Sequence, residues 1–412
     1  GFMTENLLLS NACVLDVVAG TISEARDILV REGRIAEIGD RHLSAGGARR
    51  IDLKGRTLMP GLCDAHVHAA VPVDSSAALA RMSPYYLGAR AGPILEAMLM
   101  RGFTTVRDAG GADFGLARAV EEGLIDGPRI LYCGKGLSQT GGHGDMRTGG
   151  ENVLDHHYNV PGLGRICNGV TEVRLAARDE IRRGASQIKI LAGGGVISQA
   201  CPLDNDQFSE EELRAVVEEA TMANIYVMAH AYTARQMARA VRNGVRSIEH
   251  GNFLDDETAK LMAARNAILV PTLTIFEVTE REGAAAGFSD EIMSRNKRVL
   301  DVGYGALEIA ARHKVKMAYG TDVIGTLHPH QSLEFEIRVN VLPAAEVIRA
   351  ATCYTAELFR MQGEIGIIAP NARADLIAVN GNPLDKIGLL GGQGEKLDLI
   401  LKDGRIYKNT VS

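Results

Sequence analysis

The sequence PGLCDAHVH (residues 60–68) contains an apolar run that ends in two histidines, a pattern typical of a buried strand that leads into a site. Seven further apolar runs of strand length follow, separated by helical stretches such as SEEELRAVVEEATMAN. These runs are TTVRD (104–108), RILYC (129–133), QIKIL (187–191), IYVMAH (225–230), RSIEH (246–250), AILVPT (267–272) and VKMAYGTD (315–322). Eight strand-helix units within residues 60–363 predict an α/β fold, a (β/α)₈ TIM barrel.

Both ends of the chain have the pattern of short β-strands joined by turns. NLLLSNACVLD, DILVREGRIAEIG and RRIDLKGRTLMPG begin before residue 60, and ADLIAVNGNPL and LDLILKDGRIYKN follow residue 363. Each end contains an apolar run, an acidic-Gly-Arg turn and a return strand with isoleucine. We therefore expect residues 1–59 and 364–412 to form one small, discontinuous β-sandwich domain, with the barrel inserted between them.

The charge balance and the cysteines argue against several classes of protein. The 412 residues carry a formal net charge of -6, and lysine and arginine are scattered, so we expect no nucleic-acid partner. The six cysteines form no C-x-x-C pair, which indicates reduced thiols in a cytoplasmic protein. Because no run approaches the roughly 18 apolar residues of a membrane span, and no basic and then apolar leader is recognisable, we expect no membrane partner.

Side chains able to bind metal ions lie at or near the C-terminal ends of the predicted strands. They are His66, His68, Lys189, His230, His250 and Asp322. Residues at this end of the strands converge on one site in a barrel. Each residue alone has an ordinary structural alternative, such as a core histidine, a lysine that reaches the rim or an aspartate that caps a helix. The six together predict a metal centre.

The residues on the first two of these strands, His66, His68 and Lys189, suggest how the site could bind two metal ions. His66 and His68 are two apart on a strand, so both imidazoles face one side and can bind one ion, with Asp64 a candidate to orient a histidine. Lys189 lies between two isoleucines, where a buried ammonium is costly. It would avoid this cost by pairing with a carboxylate or reaching the rim. Alternatively, its neutral amine captures CO2, and the resulting carbamate bridges two cations.

The remaining three residues would complete a catalytic site. His230 and His250 close consecutive strands and would supply two nitrogens to a second ion, leaving positions for water and substrate. Asp322 can bind an ion and also accept a proton from metal-bound water, which the cations acidify. Histidine nitrogen with carboxylate-type oxygen suits zinc best, so the expected cofactors are two divalent ions, preferably Zn²⁺, with manganese, cobalt and iron left open.

Two connections at the same rim, residues 69–101 and 134–169, are longer than a compact barrel needs. They are candidates for substrate lids, although their glycines also fit a featureless insertion. His143 lies on the second connection, and Tyr232 follows a predicted metal ligand. Each could donate a hydrogen bond to a developing oxyanion. The alternatives are that Tyr232 only packs on the rim and that His143 folds away from the site.

Further loop residues are candidates for contact with the substrate. Arg147 could pair with a substrate carboxylate, and His328 could also reach the substrate. A solvated loop residue is the alternative for both. The sequence does not separate substrate contact from solvent exposure for His156, His157 and His330.

The motifs PGLCDAHVH, IKILAGGG, MAHAY, SIEHG and YGTD together resemble those of the binuclear amidohydrolase superfamily, over nearly the whole chain. GFTTVRDAGG, LSQTGGHGD and AHAYT resemble most the imidazolonepropionase-related group that contains metal-dependent prolidases and carboxypeptidase-like dipeptidases. Imidazolonepropionases and cytosine-type deaminases are mononuclear and lack the bridging lysine. The resemblance implies a first metal on His66, His68 and Asp322, a second on His230 and His250, and a carboxylated Lys189 between them.

The resemblance also implies the reaction. We expect hydrolysis of the amide bond of a dipeptide or N-acyl amino acid, with an Xaa-Pro dipeptide as first choice. A metal-bridging hydroxide would attack, Asp322 would act as proton shuttle, and His143 and Tyr232 would stabilise the oxyanion. The nearest alternatives are dipeptides with a basic C-terminal residue, arylamides or phenylureas, lactones and phosphotriesters. An inactive barrel that serves as an assembly subunit is a remote alternative, and the resemblance implies a homo-oligomer acting on a small molecule.

Overall fold

The structure is a computed structural model, and it describes residues 4–152, 161–198 and 201–411. His156 and His157 lie outside these ranges. Within them, none of the helices combines the length and the apolar composition needed to cross a bilayer.

The described elements alternate between strand and helix through the middle of the chain. The strands are β1 (Leu7–Asp16), β2 (Thr21–Arg31), β3 (Arg34–Gly39), β4 (Arg49–Asp52), β5 (Thr57–Pro60), β6 (Leu62–Val67), β7 (Phe103–Asp108), β8 (Arg129–Tyr132), β9 (Gly136–Ser138), β10 (Gly164–Ile166), β11 (Gln187–Leu191), β12 (Tyr226–Thr233), β13 (Ser247–Phe253), β14 (Ile268–Val270), β15 (Leu376–Val379), β16 (Leu397–Lys402) and β17 (Arg405–Asn409). The helices are α1 (Ser76–Leu79), α2 (Pro84–Met100), α3 (Phe114–Glu121), α4 (Gly169–Arg182), α5 (Glu210–Met222), α6 (Ala234–Arg242), α7 (Asp256–Ala264), α8 (Leu273–Glu282), α9 (Asp290–Arg312), α10 (Leu333–Arg338), α11 (Ala344–Ala350) and α12 (Cys353–Leu358). Two 3₁₀-helices span Gly325–His330 and Ile387–Leu390.

Two parallel sheets form the barrel wall. One has the strand order β6-β7-β8 and the other the order β10-β9-β11-β12-β13-β14. The side chains of β6, β7, β11 and β12 are almost entirely buried, as expected for parallel strands covered by helices on the outside. This arrangement confirms the predicted α/β barrel class.

The predicted eighth strand, residues 315–322, is not a regular strand. Met317 forms an isolated parallel bridge with Leu269 of β14. On the other side, the amide of Ala65 in β6 donates to the carbonyl of Tyr319 over 2.7 Å. The segment therefore fills the gap between the two sheets through single hydrogen bonds, and the barrel is not closed by a continuous ladder.

The connection between residues 134 and 169, interpreted from sequence as a rim loop, also contains two short strands. β9 and β10 pair in parallel, and Leu137 of β9 pairs with Ile190 of β11. Each strand has only three residues and begins with glycine, which is too short for a periodic pattern. Part of the predicted lid therefore belongs to the barrel wall.

The strands at the two ends of the chain form one mixed sheet. Its order is β17-β16-β15-β5-β1-β2-β3, with β4 also paired to β1. The ends join where β5 pairs antiparallel with β15, with Leu58 opposite Ala378. Leu7, Ile28 and Leu399 belong to a hydrophobic core of this sheet that is separate from the barrel core. A small β-domain built from both termini is thus confirmed, while its exact residue bounds stay a prediction.

Candidate metal centre

One cavity of about 450 Å³ contains all six predicted metal ligands. His66, His68, Lys189, His230, His250 and Asp322 line it, together with His143 and Tyr232. It lies at the C-terminal ends of β6, β11, β12 and β13, the end at which barrel enzymes carry their sites. The structure therefore brings together eight of the residues that the sequence singled out.

His66, His68 and Asp322 form the first group of possible ligands. Oδ1 of Asp322 lies 3.2 Å from Nε2 of His66 and 2.9 Å from Nε2 of His68. The ligand atoms of the three residues lie within 4.8 Å of one another, so they could hold a metal ion. Asp322 has a positive φ of 59°, a conformation that is uncommon outside glycine and typical of functional sites.

His230 and His250 form a second group beside the first. Their ring centroids are 4.8 Å apart, and the ring of His250 is 5.1 Å from that of His66. His250 also has a positive φ, 73°. The two groups are therefore contiguous, and imidazole nitrogen with carboxylate oxygen is a donor set that fits zinc and related divalent ions.

Lys189 lines the same cavity as the two groups, and its side chain is almost fully buried. Its ammonium nitrogen donates one long hydrogen bond of 3.4 Å, to the carbonyl of Ala109. Burial lowers the pKa of Lys189. Among the described residues no carboxylate forms an ion pair with it, so the predicted alternative of a lysine paired with an acid is not observed. This environment favours the neutral amine over the ammonium.

In each of the four predicted ligand histidines, one ring nitrogen has a polar neighbour outside the ligand set. The contacts are His66 Nδ1 to Glu249 Oε1 (3.0 Å), His68 Nδ1 to the Gly110 carbonyl (2.8 Å), His250 Nδ1 to Thr272 Oγ1 (2.6 Å) and His230 Nε2 to the Gly194 carbonyl (2.7 Å). Such contacts fix the orientation of a metal-binding histidine. His66, His68 and His250 thus present Nε2 to the site, whereas His230 presents Nδ1.

Asp64, interpreted from sequence as a possible partner of a histidine ring, instead holds the backbone. It accepts hydrogen bonds from the amide of His66 (3.0 Å) and from the hydroxyl of Thr321 (2.6 Å). Burial raises the pKa of Asp64 to about 6. The acid that contacts Nδ1 of the His66 ring is Glu249, which was not predicted from the sequence. A charged residue inside the apolar strand SIEHG is the signal that could have identified it.

His143 and Tyr232 line the cavity beside His230 and His250. The ring of Tyr232 is 5.2 Å from that of His250, and the ring of His143 is 4.5 Å from that of His230. Nδ1 of His143 is enclosed and has no hydrogen-bond partner among the described residues. Burial lowers the pKa of His143 to about 4 and raises the pKa of Tyr232. His143 is therefore neutral and Tyr232 protonated near pH 7.

A local helix start fixes Tyr232. The side chain of Thr233 caps α6 by accepting from the amide of Gln236, and the buried Gln236 side chain accepts from the amides of Tyr232 (2.8 Å) and Thr233 (3.0 Å). This capping box orders the chain immediately after β12.

Arg147 and His328 do not line the cavity. The guanidinium of Arg147 forms two hydrogen bonds, of 2.9 and 2.7 Å, with Asp145. Nε2 of His328 contacts the carbonyl of Val71 at 2.9 Å, and His328 is buried. The geometry therefore does not support contact of these two residues with a substrate. His330 lies near Glu282, with 3.3 Å between Nε2 and Oε1.

Comparison with known proteins places the chain in a family. Residues 57–408 match the amidohydrolase family. Ochratoxinase from Aspergillus niger is 31% identical over 396 residues, which cover 92% of this chain and 81% of ochratoxinase.

Solved structures agree over almost the whole length. A prolidase in complex with N-methylphosphonate-L-proline is 44% identical, with a TM-score of 0.95, and the match covers 98% of this chain and 100% of that one. A Xaa-Pro dipeptidase with bound methionine in its active site is 34% identical, with a TM-score of 0.89 and the same coverage. The chain is a hydrolytic enzyme that belongs to the amidohydrolase family, which has prolidase-like members.

Proposed function

We propose that the protein is a binuclear metal-dependent hydrolase that cleaves the amide bond of a dipeptide or N-acyl amino acid, with Xaa-Pro dipeptides as preferred substrates. The convergence of two ligand groups and Lys189 on one cavity carries this proposal. The likeness to a prolidase and to a Xaa-Pro dipeptidase supports the choice of substrate.

The proposed ligand sets follow the two groups of side chains. His66, His68 and Asp322 would hold one ion, His230 and His250 the other, and a carboxylated Lys189 would contribute to both. When bound, divalent ions, preferably Zn²⁺, supply the Lewis acidity that polarises a carbonyl and acidifies water.

Asp322 is the proposed proton shuttle. Burial alone would raise its pKa, but His66, His68 and His250 hold the pKa of Asp322 well below its usual range. It is therefore an ionised acceptor near pH 7. We expect its carboxylate to take the proton of the attacking water and to deliver it to the leaving nitrogen. In the same step, the Tyr232 hydroxyl and the His143 imidazole would donate to the oxyanion that develops on the carbonyl.

The wall of the cavity beyond the ligands is largely apolar. Ile275 and Phe276 of α8 line it, as do Phe288, just before α9, and Ile292 in the first turn of α9. Phe276 packs against two side chains of the site, since its ring centroid is 6.0 Å from those of Tyr232 and His250. Such a wall suits a substrate with an apolar side chain or ring. The likeness to ochratoxinase makes an ochratoxin a second candidate substrate. The homo-oligomer and the cytoplasmic location stay predictions.

A dipeptide library tests the proposal. The protein is loaded with zinc in the presence of bicarbonate, and the released amino acids and the bound metal are both quantified. We expect preferential cleavage of Xaa-Pro dipeptides at about two metals per chain. Two metals without cleavage of any dipeptide would reject the substrate and redirect the search to ochratoxin, arylamides and esters. Absence of metal binding would reject the mechanism. His330→Ala, which changes a residue that does not line the cavity, is a matched control.

A further inference from the structure

Arg107 and Glu249 form an ion pair in the interior of the barrel. Nη2 of Arg107 lies 2.7 Å from Oε1 of Glu249, and both side chains are fully buried. Arg107 also donates to the carbonyl of Ala65 (2.7 Å), to the hydroxyl of Ser247 (3.0 Å) and to the hydroxyl of Tyr226 (3.3 Å). A side chain from β7 thus ties together β6, β12 and β13.

Glu249 uses the same oxygen to accept from a metal-site histidine. Its Oε1 lies 3.0 Å from Nδ1 of His66, while its Oε2 accepts from the Ser247 hydroxyl over 2.9 Å. Because Glu249 is paired with the guanidinium of Arg107, its carboxylate can only accept hydrogen bonds, and Nδ1 of His66 is therefore the donor of this contact.

Outside the ligand set, the other three ligand histidines, His68, His230 and His250, have neutral neighbours. Gly110 and Gly194 offer backbone carbonyls and Thr272 offers a hydroxyl. Among the described contacts that the four ligand histidines make with residues outside the ligand set, only the contact of His66 with Glu249 involves a charged group. Charge-assisted hydrogen bonds are roughly twice as strong as neutral ones, so His66 is held more firmly than its neighbours.

We propose that Glu249, anchored by Arg107, is a positioning residue that locks His66 in the Nδ1–H tautomer and so prepares Nε2 for the first metal ion. The proposal rests on the metal centre of the proposed function. It goes further, because it assigns to the buried pair of Arg107 and Glu249, which does not line the cavity, an effect on the binding of one of the two ions.

A double substitution is the variant of choice. In Glu249→Gln alone the buried Arg107 would lose its counter-charge, and the protein could fail to fold. Replacing both charges, as in Arg107→Met with Glu249→Gln, removes the pair without leaving an unpaired charge. Thr272→Val is the matched control, because it removes the hydroxyl that contacts His250 in the other ligand group.

Metal titration and NMR of ¹⁵N-histidine-labelled protein provide the readouts, and neither needs a substrate. We expect the double variant to bind the first ion about 10–100-fold more weakly while the second ion is unaffected. In Thr272→Val, the second ion should bind more weakly while binding of the first ion is unaffected. Long-range ¹H–¹⁵N spectra of the metal-free proteins should show Nδ1 of His66 protonated in the wild type and only partly protonated in the double variant.

Two results would overturn the proposal: wild-type affinity for both ions in the double variant, or an unchanged His66 tautomer. If the wild type itself bound no metal, the proposed function would fail, and the tautomer of His66 in the wild type and the double variant would still decide the role of Glu249. If metal bound as expected but no dipeptide were cleaved, only the choice of substrate would fail.

Discussion

The imidazole of His143 stacks on the imidazole of His230, with ring centroids 4.5 Å apart and ring planes inclined by 26°. Gly195 makes this contact possible, since a Cβ atom at position 195 would overlap Cε1 and Nδ1 of His143. The glycine run of IKILAGGG therefore has a steric reason: it lets a loop histidine approach the end of β11.

Gly195→Ala should displace His143 from the cavity. If the imidazole donates to the oxyanion, its loss should lower kcat by about 10²-fold, with little change in bound metal. Gly149→Ala is the control, because a Cβ atom at position 149 would meet nothing within 4 Å. The measurements are steady-state kinetics and metal content. Wild-type kcat in Gly195→Ala would contradict a catalytic role for His143.

Asp322→Asn tests the proton shuttle. The amide keeps an oxygen that can contact His66 and His68, but it cannot accept the proton of the attacking water. We therefore expect kcat to fall by about 10²–10⁴-fold while most of the metal remains bound. Turnover and metal content should be measured on the same sample. A variant that turns over at an unchanged rate would exclude Asp322 as the shuttle.

The sequence predicted much of the barrel and the site because both depend on local patterns. Apolar runs mark the strands, and the ligands close them, so His66, His230 and His250 could be assigned to one end of the barrel. The eighth strand was predicted as regular, but a Cβ atom at Gly320 would lie 2.6 Å from Cγ1 of Val270, and the backbone at Asp322 has a positive φ. The close approach of two chain segments and a local backbone conformation produce no periodic pattern in the sequence.

Contacts between distant segments account for what the sequence did not predict. The pair formed by Arg107 and Glu249 is seen only once β7 and β13 are placed in one barrel. A local contact decides another case: Arg147 was a candidate for substrate contact, with a solvated loop arginine as the alternative, and its side chain pairs with Asp145, two residues before it. His328 was predicted on the rim, yet its ring turns toward the backbone of Val71. Whether a loop side chain points into the cavity or contacts a neighbouring loop segment depends on the geometry of the loop and not on the residue type.

Lys189→Met should separate the contribution of the lysine to metal binding from the destabilisation that its burial causes. Methionine keeps an unbranched apolar stem but provides no amine for a carbamate, so we expect less than two metals per chain. Without metal the variant should be more stable than the wild type, by about 1–3 kcal/mol, because no amine is buried. Metal analysis and urea unfolding of chelated protein test both parts. Full metal content in Lys189→Met would contradict the bridging role.

Arg129 should make the contact between the barrel and the terminal sheet sensitive to acid. From β8 it donates to Asp375 (2.9 Å) and to Asp403 (2.8 Å) of the segment that carries β15 to β17. Burial would raise the pKa of Asp403, but Arg129 and Arg373 lower it overall. Because the folded-state pKa lies below the unfolded one, this stabilisation is present above about pH 4 and is lost as the pH falls further.

Arg129→Met tests this contact. At pH 7 the substitution leaves the buried Asp375 without its cation, and we expect it to cost on the order of 3 kcal/mol. The difference from the wild type should narrow as the pH falls below about 4, where Asp403 takes up a proton. Urea unfolding of metal-free, chelator-treated protein between pH 7 and about pH 4 measures this difference in unfolding free energy. Arg118→Met is the control, because it removes a largely exposed ion pair with Glu122. A difference that is the same at both pH values would show that Asp403 contributes nothing through its charge.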